Sequence, residues 1–192
     1  QVPRSNIFQH RQIGQALAKT EGMTVEPCLI YRGSKTIGIA QLYVKRNWLG
    51  IKSAKLIRGP LFTSLPSSGE MVQTLKLIKA RYPLLKASWC SLQPELPDGE
   101  ATHATLQKSG LNRMTTGYSS VWLNLTADET QLRSQLHSKW RNQLSKAEKS
   151  GLTVQTSDDH TALINRHGDH MKQAGFSALS PDSYNQIPAP LI

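Results

Sequence analysis

The sequence predicts an α/β sandwich, in which helices pack against a β-sheet. Two kinds of segment alternate along the chain: some have the 3.6-residue apolar period of amphipathic helices, and others are short β-rich runs typical of strands. Their order is helix, three strands, helix, strand, helix, strand, which favours a layered α/β domain. With 192 residues, of which 38% are hydrophobic and 19% charged, the chain is long enough for one good core or one and a half domains.

The N-terminal elements are predicted to be a helix and a β-hairpin. Residues 6–20 have the spacing of a short amphipathic helix, for which Ser5 or Asn6 is a suitable N-cap. Two β-rich runs, 25–31 and 36–45, follow it and are separated by four turn residues. This pattern predicts two antiparallel strands joined by a tight turn.

A third strand is predicted at 52–58, and Gly59-Pro60 ends it because proline cannot donate to a ladder. The later elements are predicted from the same signals. In chain order they are a helix at 70–82, a strand at 84–92, a loop at 94–100, a helix at 101–109, a strand at 114–125, a helix at 132–151, a strand at 152–156, a helix at 158–174 and a turn-rich segment at 177–192.

The predicted helix at 132–151 separates apolar from basic residues. At about 100° per residue, one arc holds the apolar residues and a flank away from it holds polar ones. The arc consists of Leu132, Leu136, Trp140, Leu144 and Ala147, and the flank of Lys139, Asn142, Lys146 and Lys149. Asp128 and Glu129 near the start suit the helix dipole, and Gly151 suits a left-handed C-terminal cap.

Two interpretations of the basic flank remain open. A solvated face of an amphipathic helix needs no ligand. Alternatively, the ammonium of Lys139, the guanidinium of Arg141 and the amide of Asn142 could bind a diphosphate or a carboxylate through charge-assisted hydrogen bonds.

The net charge of +10 is unevenly distributed. No acidic residue lies between Glu26 and Glu70, whereas this interval contains Arg32, Lys35, Lys45, Arg46, Lys52, Lys55 and Arg58. Such a field attracts polyanions such as RNA, anionic lipid headgroups or a nucleotide-linked substrate. A basic surface also serves solubility alone.

Composition further predicts a cytoplasmic protein. No apolar run reaches membrane-spanning length, and the N-terminus lacks the pattern of a signal peptide. Both cysteines, Cys28 and Cys90, lie in apolar strand-like runs, which favours buried, reduced thiols over nucleophiles. At most peripheral membrane contact and no stable DNA binding are expected.

Three short motifs resemble those of one known family. Residues 138–151 resemble the K-x-R-N-x-x-x-K-A-x-x-x-G helix of the FemABX, or Fem ligase, family. Residues 6–14 resemble the N-x-x-Q-x-x-x-x-G start of that family, with Gln9 and Gly14 in register. Arg58-Gly59-Pro60 matches its R-G-P signature at the expected distance from the first helix.

The resemblance implies both a fold and an activity. The fold would be GNAT-like, the fold of acyl-CoA N-acyltransferases, with a mixed, largely antiparallel sheet flanked by helices. Residues 1–125 would form a first GNAT-like domain, and residues 126–192 would begin a second, incomplete one. Fem ligases are non-ribosomal peptidyltransferases that transfer an amino acid from aminoacyl-tRNA to the peptide of an anionic peptidoglycan precursor. By this resemblance, the substrate-binding residues are Lys139, Arg141, Asn142, Lys146 and Arg58.

The sequence departs from the family at one position. Many relatives carry a phosphate-binding lysine three residues after the first glycine, where this chain has Leu17. Lys19 lies about 200° further around the helix and is not a simple replacement.

Other chemistry has little support in the sequence. No Gly-rich turn between a strand and a helix suits the pyrophosphate of acetyl-CoA, and no nucleophile elbow is present. His160, His167 and His170 occupy neighbouring faces of one predicted helix without completing a metal site. No metal and no cofactor are therefore expected, and no catalytic base is assigned. The alternatives are an acyl-CoA-dependent N-acyltransferase of the same fold and a non-catalytic RNA-binding module.

Overall fold

Five strands form one mixed sheet in the computed structural model, which describes residues 6–114, 120, 123–176 and 179–187. The strands are β1 Thr24–Arg32, β2 Lys35–Arg46, β3 Lys52–Ile57, β4 Leu61–Phe62 and β5 Ser88–Gln93. Their order is β1-β2-β3-β5, and β4 pairs with β2. Every pair is antiparallel except β3 with β5, which is parallel.

The described part of the chain contains seven α-helices. They are α1 Arg11–Glu21, α2 Ser68–Ala80, α3 Glu100–Lys108, α4 Glu129–Gln135, α5 Ser138–Glu148, α6 Thr161–Gln173 and α7 Pro181–Asn185. Two 3-10 turns, Ile7–Gln9 and Leu84–Lys86, precede α1 and β5. The chain divides into two compact units, one of Gln1–Thr116 with Ala162–Ile192 and one of Gly117–Thr161.

The first unit buries both faces of strand β2. Its side chains alternate between the faces, so Leu42 packs in the larger core with Leu56 and with Leu75 of α2. On the other face, Tyr43 packs with Ile13 of α1 in a smaller core. Full burial of a leucine side chain contributes about 1.5–3 kcal/mol. The sheet is therefore flanked by helices, as expected.

Helix α7 packs against the C-terminal end of α1 within the first unit. The buried Ser183 hydroxyl donates to Glu21 Oε1 at 2.5 Å and lies 2.6 Å from Thr20 Oγ1. The backbone N–H of Ser180 also donates to Glu21, at 3.0 Å. The bond from Ser183, followed by that from Ser180, holds the pKa of Glu21 below its ordinary value.

Most predicted elements of the first unit are confirmed within a few residues. The hairpin is present, with Gly33 at φ 59° in its turn. The N-terminal helix is shorter than expected, because Asn6 caps a 3-10 turn and α1 begins only at Arg11. The other proposed cap, Ser5, lies outside the described residues. Strand β4 is not predicted by the sequence, because two residues are too few to show the apolar–polar alternation of a strand.

Two predicted strands are wrong in part or in full. The run 84–92 begins as a 3-10 turn, and β5 starts only after Ala87, which has φ 48°. Residues 152–156, all described, form no strand and pair with no other segment of the described chain. A β-rich run is a strand only where a neighbouring ladder satisfies its backbone groups.

The predicted strand at 114–125 falls partly outside the described residues, and Met114, Ser120 and 123–125 are not in a strand. The predicted domain boundary at residue 125 concerns the halves of longer relatives and stays a prediction. None of the described helices is both long and apolar enough to cross a bilayer.

Candidate anion-binding site

The predicted helix at 132–151 is two helices in the second unit. Leu136 has extended backbone angles and ends α4, and the His137 side chain caps α5 by accepting from the backbone N–H of Lys139. The single long helix is therefore wrong, because an N-cap inside it starts a second helix. The terminal features are confirmed: Asp128 caps α4, and Gly151 has φ 70° after α5.

Arginine side chains join the two helices. Arg141 donates from one guanidinium nitrogen to the carbonyls of Ser134 and Leu136, at 2.9 and 2.6 Å. These carbonyls lie at the C-terminal end of α4, where they have no partner within the helix. Arg133 forms a two-point ion pair with Glu148, at 2.6 and 2.8 Å. This pair lowers the pKa of Glu148 below its ordinary value. Arg141 therefore positions α5 in addition to any ligand role.

The basic face of α5, defined as Lys139, Asn142 and Lys146, is exposed. Their spacing of three and four residues places them on one side of the helix. None of the three side chains forms a hydrogen bond or ion pair within the described part of the chain. Three adjacent free donors, two of them cationic, form a surface suited to a phosphate or a carboxylate.

The apolar arc predicted for this helix does not pack as expected. Trp140 is 66% exposed and Leu144 39% exposed. Helices α4 and α5 contain no buried residue. Period alone cannot tell a core-facing stripe from an exposed one, because burial depends on what lies opposite.

Arg58 lies in the first unit, at the end of β3. It has φ 52°, and its backbone N–H donates to Gln93 O at 2.8 Å. Its guanidinium donates to Glu95 Oε1 at 3.2 Å, and Asn6 donates to the other oxygen of Glu95 at 3.0 Å. Arg58 is therefore partly committed to a carboxylate that the sequence analysis did not identify.

Gln9 belongs to the family-like motif at residues 6–14, and its side chain has a structural role. Its side-chain amide donates to the carbonyls of Gln41 and Ile57, at 3.2 and 2.7 Å, and accepts from the Gln41 N–H at 2.7 Å. The Gln9 side chain thus bridges the backbones of β2 and β3 by hydrogen bonds, just beyond the last paired residues of the two strands. A Cβ at Gly59 would lie 2.7 Å from the Gln9 amide, and one at Gly14 would lie 2.7 Å from that of Gln41. Both glycines are required by these close approaches.

The position at which the family pattern has a lysine is a core position in this chain. Leu17 is buried in the smaller core of the first unit. Lys19 is exposed and donates to the side chain of Gln186 at 3.0 Å. Neither residue offers a free cation at the expected place, so the departure seen in the sequence extends to the structure.

Both cysteines and His167 have surroundings that favour a structural role. Burial raises the pKa of the Cys90 thiol to about 11, and burial likewise raises that of Cys28. His167 packs edge-on against Tyr184, with ring centroids 6.3 Å apart. The described residues contain no group of three or more possible metal ligands.

No model of a known protein family and no curated protein matches the sequence. Among solved structures, one named FemX matches with a TM-score of 0.66 and 16% sequence identity. The match covers 97% of this chain and 50% of the FemX chain. The expected mixed α/β architecture is confirmed, and this chain has a FemX-like fold, of the GNAT type, over a length that corresponds to half of FemX.

Proposed function

We propose that this chain takes part in the transfer of an amino acid from aminoacyl-tRNA to the peptide of an anionic peptidoglycan precursor. The observation that carries the proposal is the FemX-like fold over 97% of the chain. The three family-like motifs support it, because two of them have definite structural roles here: Gln9 joins two strands, and Arg58 ends one of them.

The proposed reaction is aminolysis of an ester. The amine nitrogen of the acceptor peptide forms an amide bond to the aminoacyl carbonyl carbon, and the ester C–O bond breaks. The amine loses a proton, and the leaving ribose oxygen gains one. Such a reaction requires two anionic substrates to be held in register and the developing oxyanion to be stabilised, without a covalent nucleophile. This requirement fits a chain whose two thiols have raised pKa values.

The basic face of α5 is proposed to bind the phosphate or carboxylate of the acceptor. Lys139 and Lys146 would supply charge, and Asn142 a neutral donor. One guanidinium nitrogen of Arg141, Nη1, donates to the carbonyls at the end of α4. The N–H groups on its other guanidinium nitrogens would donate to the acceptor. For Arg58 of the first unit we propose a separate contribution to binding an anionic substrate group, in competition with its pairing to Glu95.

Calorimetry with a soluble nucleotide-linked muramoyl pentapeptide tests the acceptor role. Lys139→Ala and Lys146→Ala are each expected to weaken binding about tenfold, the effect of one lost charge-assisted hydrogen bond. Lys172→Ala, at an exposed position of α6, serves as the control and is expected to bind as the unaltered chain does. Equal affinity of all three variants contradicts the assignment.

Three further measurements test the proposal, and the last two separate it from the non-catalytic RNA-binding alternative. Arg141→Ala is expected to weaken binding and also to loosen α4, so circular dichroism must accompany its titration. Transfer of a labelled amino acid from aminoacyl-tRNA to the precursor peptide in the presence of the protein supports the proposed reaction. RNA binding that weakens steeply with salt, without transfer or precursor binding, instead supports the non-catalytic RNA-binding module.

A further inference from the structure

Two turns lie side by side at one end of the sheet in the first unit. Residues 47–51 connect β2 to β3, and the 3-10 turn Leu84–Lys86 leads into β5. Because β3 and β5 are parallel, both strands begin at the same end of the sheet. The N–H of Lys52 donates to Ala87 O at 2.9 Å, which brings the two turns together.

These turns expose large apolar side chains. We call this group of side chains the apolar tip. Its members, with the exposed fraction of each residue in parentheses, are Trp48 (90%), Leu49 (60%), Ile51 (38%), Leu84 (81%) and Leu85 (101%). Single exposed apolar residues are common on protein surfaces, whereas a cluster of them marks an interaction site. The exposure is not a consequence of a poorly held loop, because Asn47 accepts from Gly50 and donates to Ile51 through the backbone. Its side chain also accepts from the Ile51 N–H at 2.9 Å.

Cations flank the apolar tip along the chain. Lys45, Arg46, Lys52 and Lys86 all lie within three residues of its members. None of the four forms an ion pair within the described part of the chain. Two carboxylates close to these segments already have partners. Glu21, whose pKa Lys45 helps to lower, accepts from Ser183. Glu26 accepts from Arg81 and Tyr82, just before Leu84 in the chain.

The cationic character continues beside the second turn. Leu84 and Leu85 line a shallow groove of about 460 Å³ together with Lys76 and Lys79. Lys79 donates to Gly110 O, so its position at the groove is fixed. The apolar tip is thus bordered by positive charge on the side of α2 as well as on the side of β2.

We propose that the apolar tip inserts into the surface of an anionic lipid bilayer while the surrounding cations bind its headgroups. Indole rings favour the interface between headgroups and hydrocarbon, and leucine and isoleucine favour the hydrocarbon just below it. Each lysine or arginine near an anionic surface strengthens binding by about fivefold. A nucleic acid fits less well, because its bases stack on aromatic rings and the tip is largely aliphatic. The inference does not depend on the proposed transfer reaction.

Sedimentation with vesicles tests the proposal on the 192-residue chain. Vesicles of phosphatidylcholine with 30 mol% phosphatidylglycerol are expected to bind the chain at least tenfold more tightly than phosphatidylcholine alone, because each nearby cation contributes about fivefold. The double variant Leu84→Ser/Leu85→Ser and the single variant Trp48→Ser are each expected to lose at least about tenfold in affinity for the anionic vesicles. These side chains are highly exposed, so folding should be preserved, and thermal melting checks that it is.

Matched controls come from the opposite end of the sheet. Leu65 is 96% exposed and follows β4, which pairs with the start of β2. Leu65→Ser is expected to leave vesicle binding unchanged, and Lys35→Glu at the first residue of β2 is expected to weaken it far less than Arg46→Glu at the last. The proposal is overturned if anionic vesicles do not bind the chain or if Leu65→Ser weakens binding as much as the tip variants do. It is equally overturned if the tip variants retain vesicle affinity and lose only affinity for RNA.

Discussion

Replacement of Gln9 tests the link between the N-terminal turn and the sheet. In Gln9→Ala, three hydrogen bonds to the backbone of Gln41 and Ile57 disappear. The Gln9 side chain is buried, with 4% exposure, so the strand groups that it satisfies lose their partners inside the protein. At about 1 kcal/mol for each bond, the free energy of unfolding should fall by about 3 kcal/mol. For a chain of this size, that corresponds to about 6–12 °C in Tm.

Urea denaturation followed by circular dichroism, together with thermal melting, measures this loss. Gln15→Ala in the helix that follows is the matched control, because Gln15 is exposed and its side chain has no hydrogen bond within the described chain. Gln9→Glu adds a second variant of nearly the same shape, which at neutral pH cannot donate to Ile57 O and should destabilise at least as much as alanine. A loss below about 1 kcal/mol in Gln9→Ala, or an equal loss in Gln15→Ala, refutes the reasoning.

Three further predictions concern the first unit. The pKa of Glu21 is held below its ordinary value of 4.5, so the Glu21 carboxylate contributes its full stabilisation above that value and loses it as pH falls through the lower, folded-state pKa. In Glu21→Gln, Tm measured between about pH 6 and 3 should therefore fall less steeply. With the pKa of Cys90 raised to about 11, its reaction with a disulfide reagent, measured in a Cys28→Ser variant, should be slow at neutral pH and speed up in urea. Equal rates in both would contradict its partial burial. Gly38→Ala places a Cβ 2.5 Å from Leu61 O and should cost about 1–3 kcal/mol in urea denaturation. Alanine at Gly168, inside α6, where a Cβ would meet nothing within 4 Å, should cause no loss.

Local patterns are sufficient for much of the first unit. The turn around Gly33, the stop at Gly59-Pro60 and the capped helix α2 depend on residues within a few positions of one another, so the printed sequence contains their physical causes. The predicted bounds of β1, β2 and β3 are confirmed within one residue for the same reason. The largely antiparallel α/β class follows from these elements and from the family resemblance.

The candidate site can be predicted only as a set of residue types. The spacing of Lys139, Asn142 and Lys146 on one side of a helix is local and visible in the sequence. The commitment of Arg141 to the carbonyls of α4 is not, because it depends on a helix break at Leu136. The pairing of Arg58 with Glu95 joins residues 37 positions apart, which no local pattern records.

The sequence by itself determined where most of the helices and strands form, how charge is distributed and which short motifs the chain carries. Only the tertiary structure decided that Gln9 completes a ladder with residues up to 48 positions away. It also decided that Ser183 is buried against Glu21 across 162 positions. The physical reason is that periods and caps arise between near neighbours, whereas burial and hydrogen-bond partners arise from whichever segments the fold brings together.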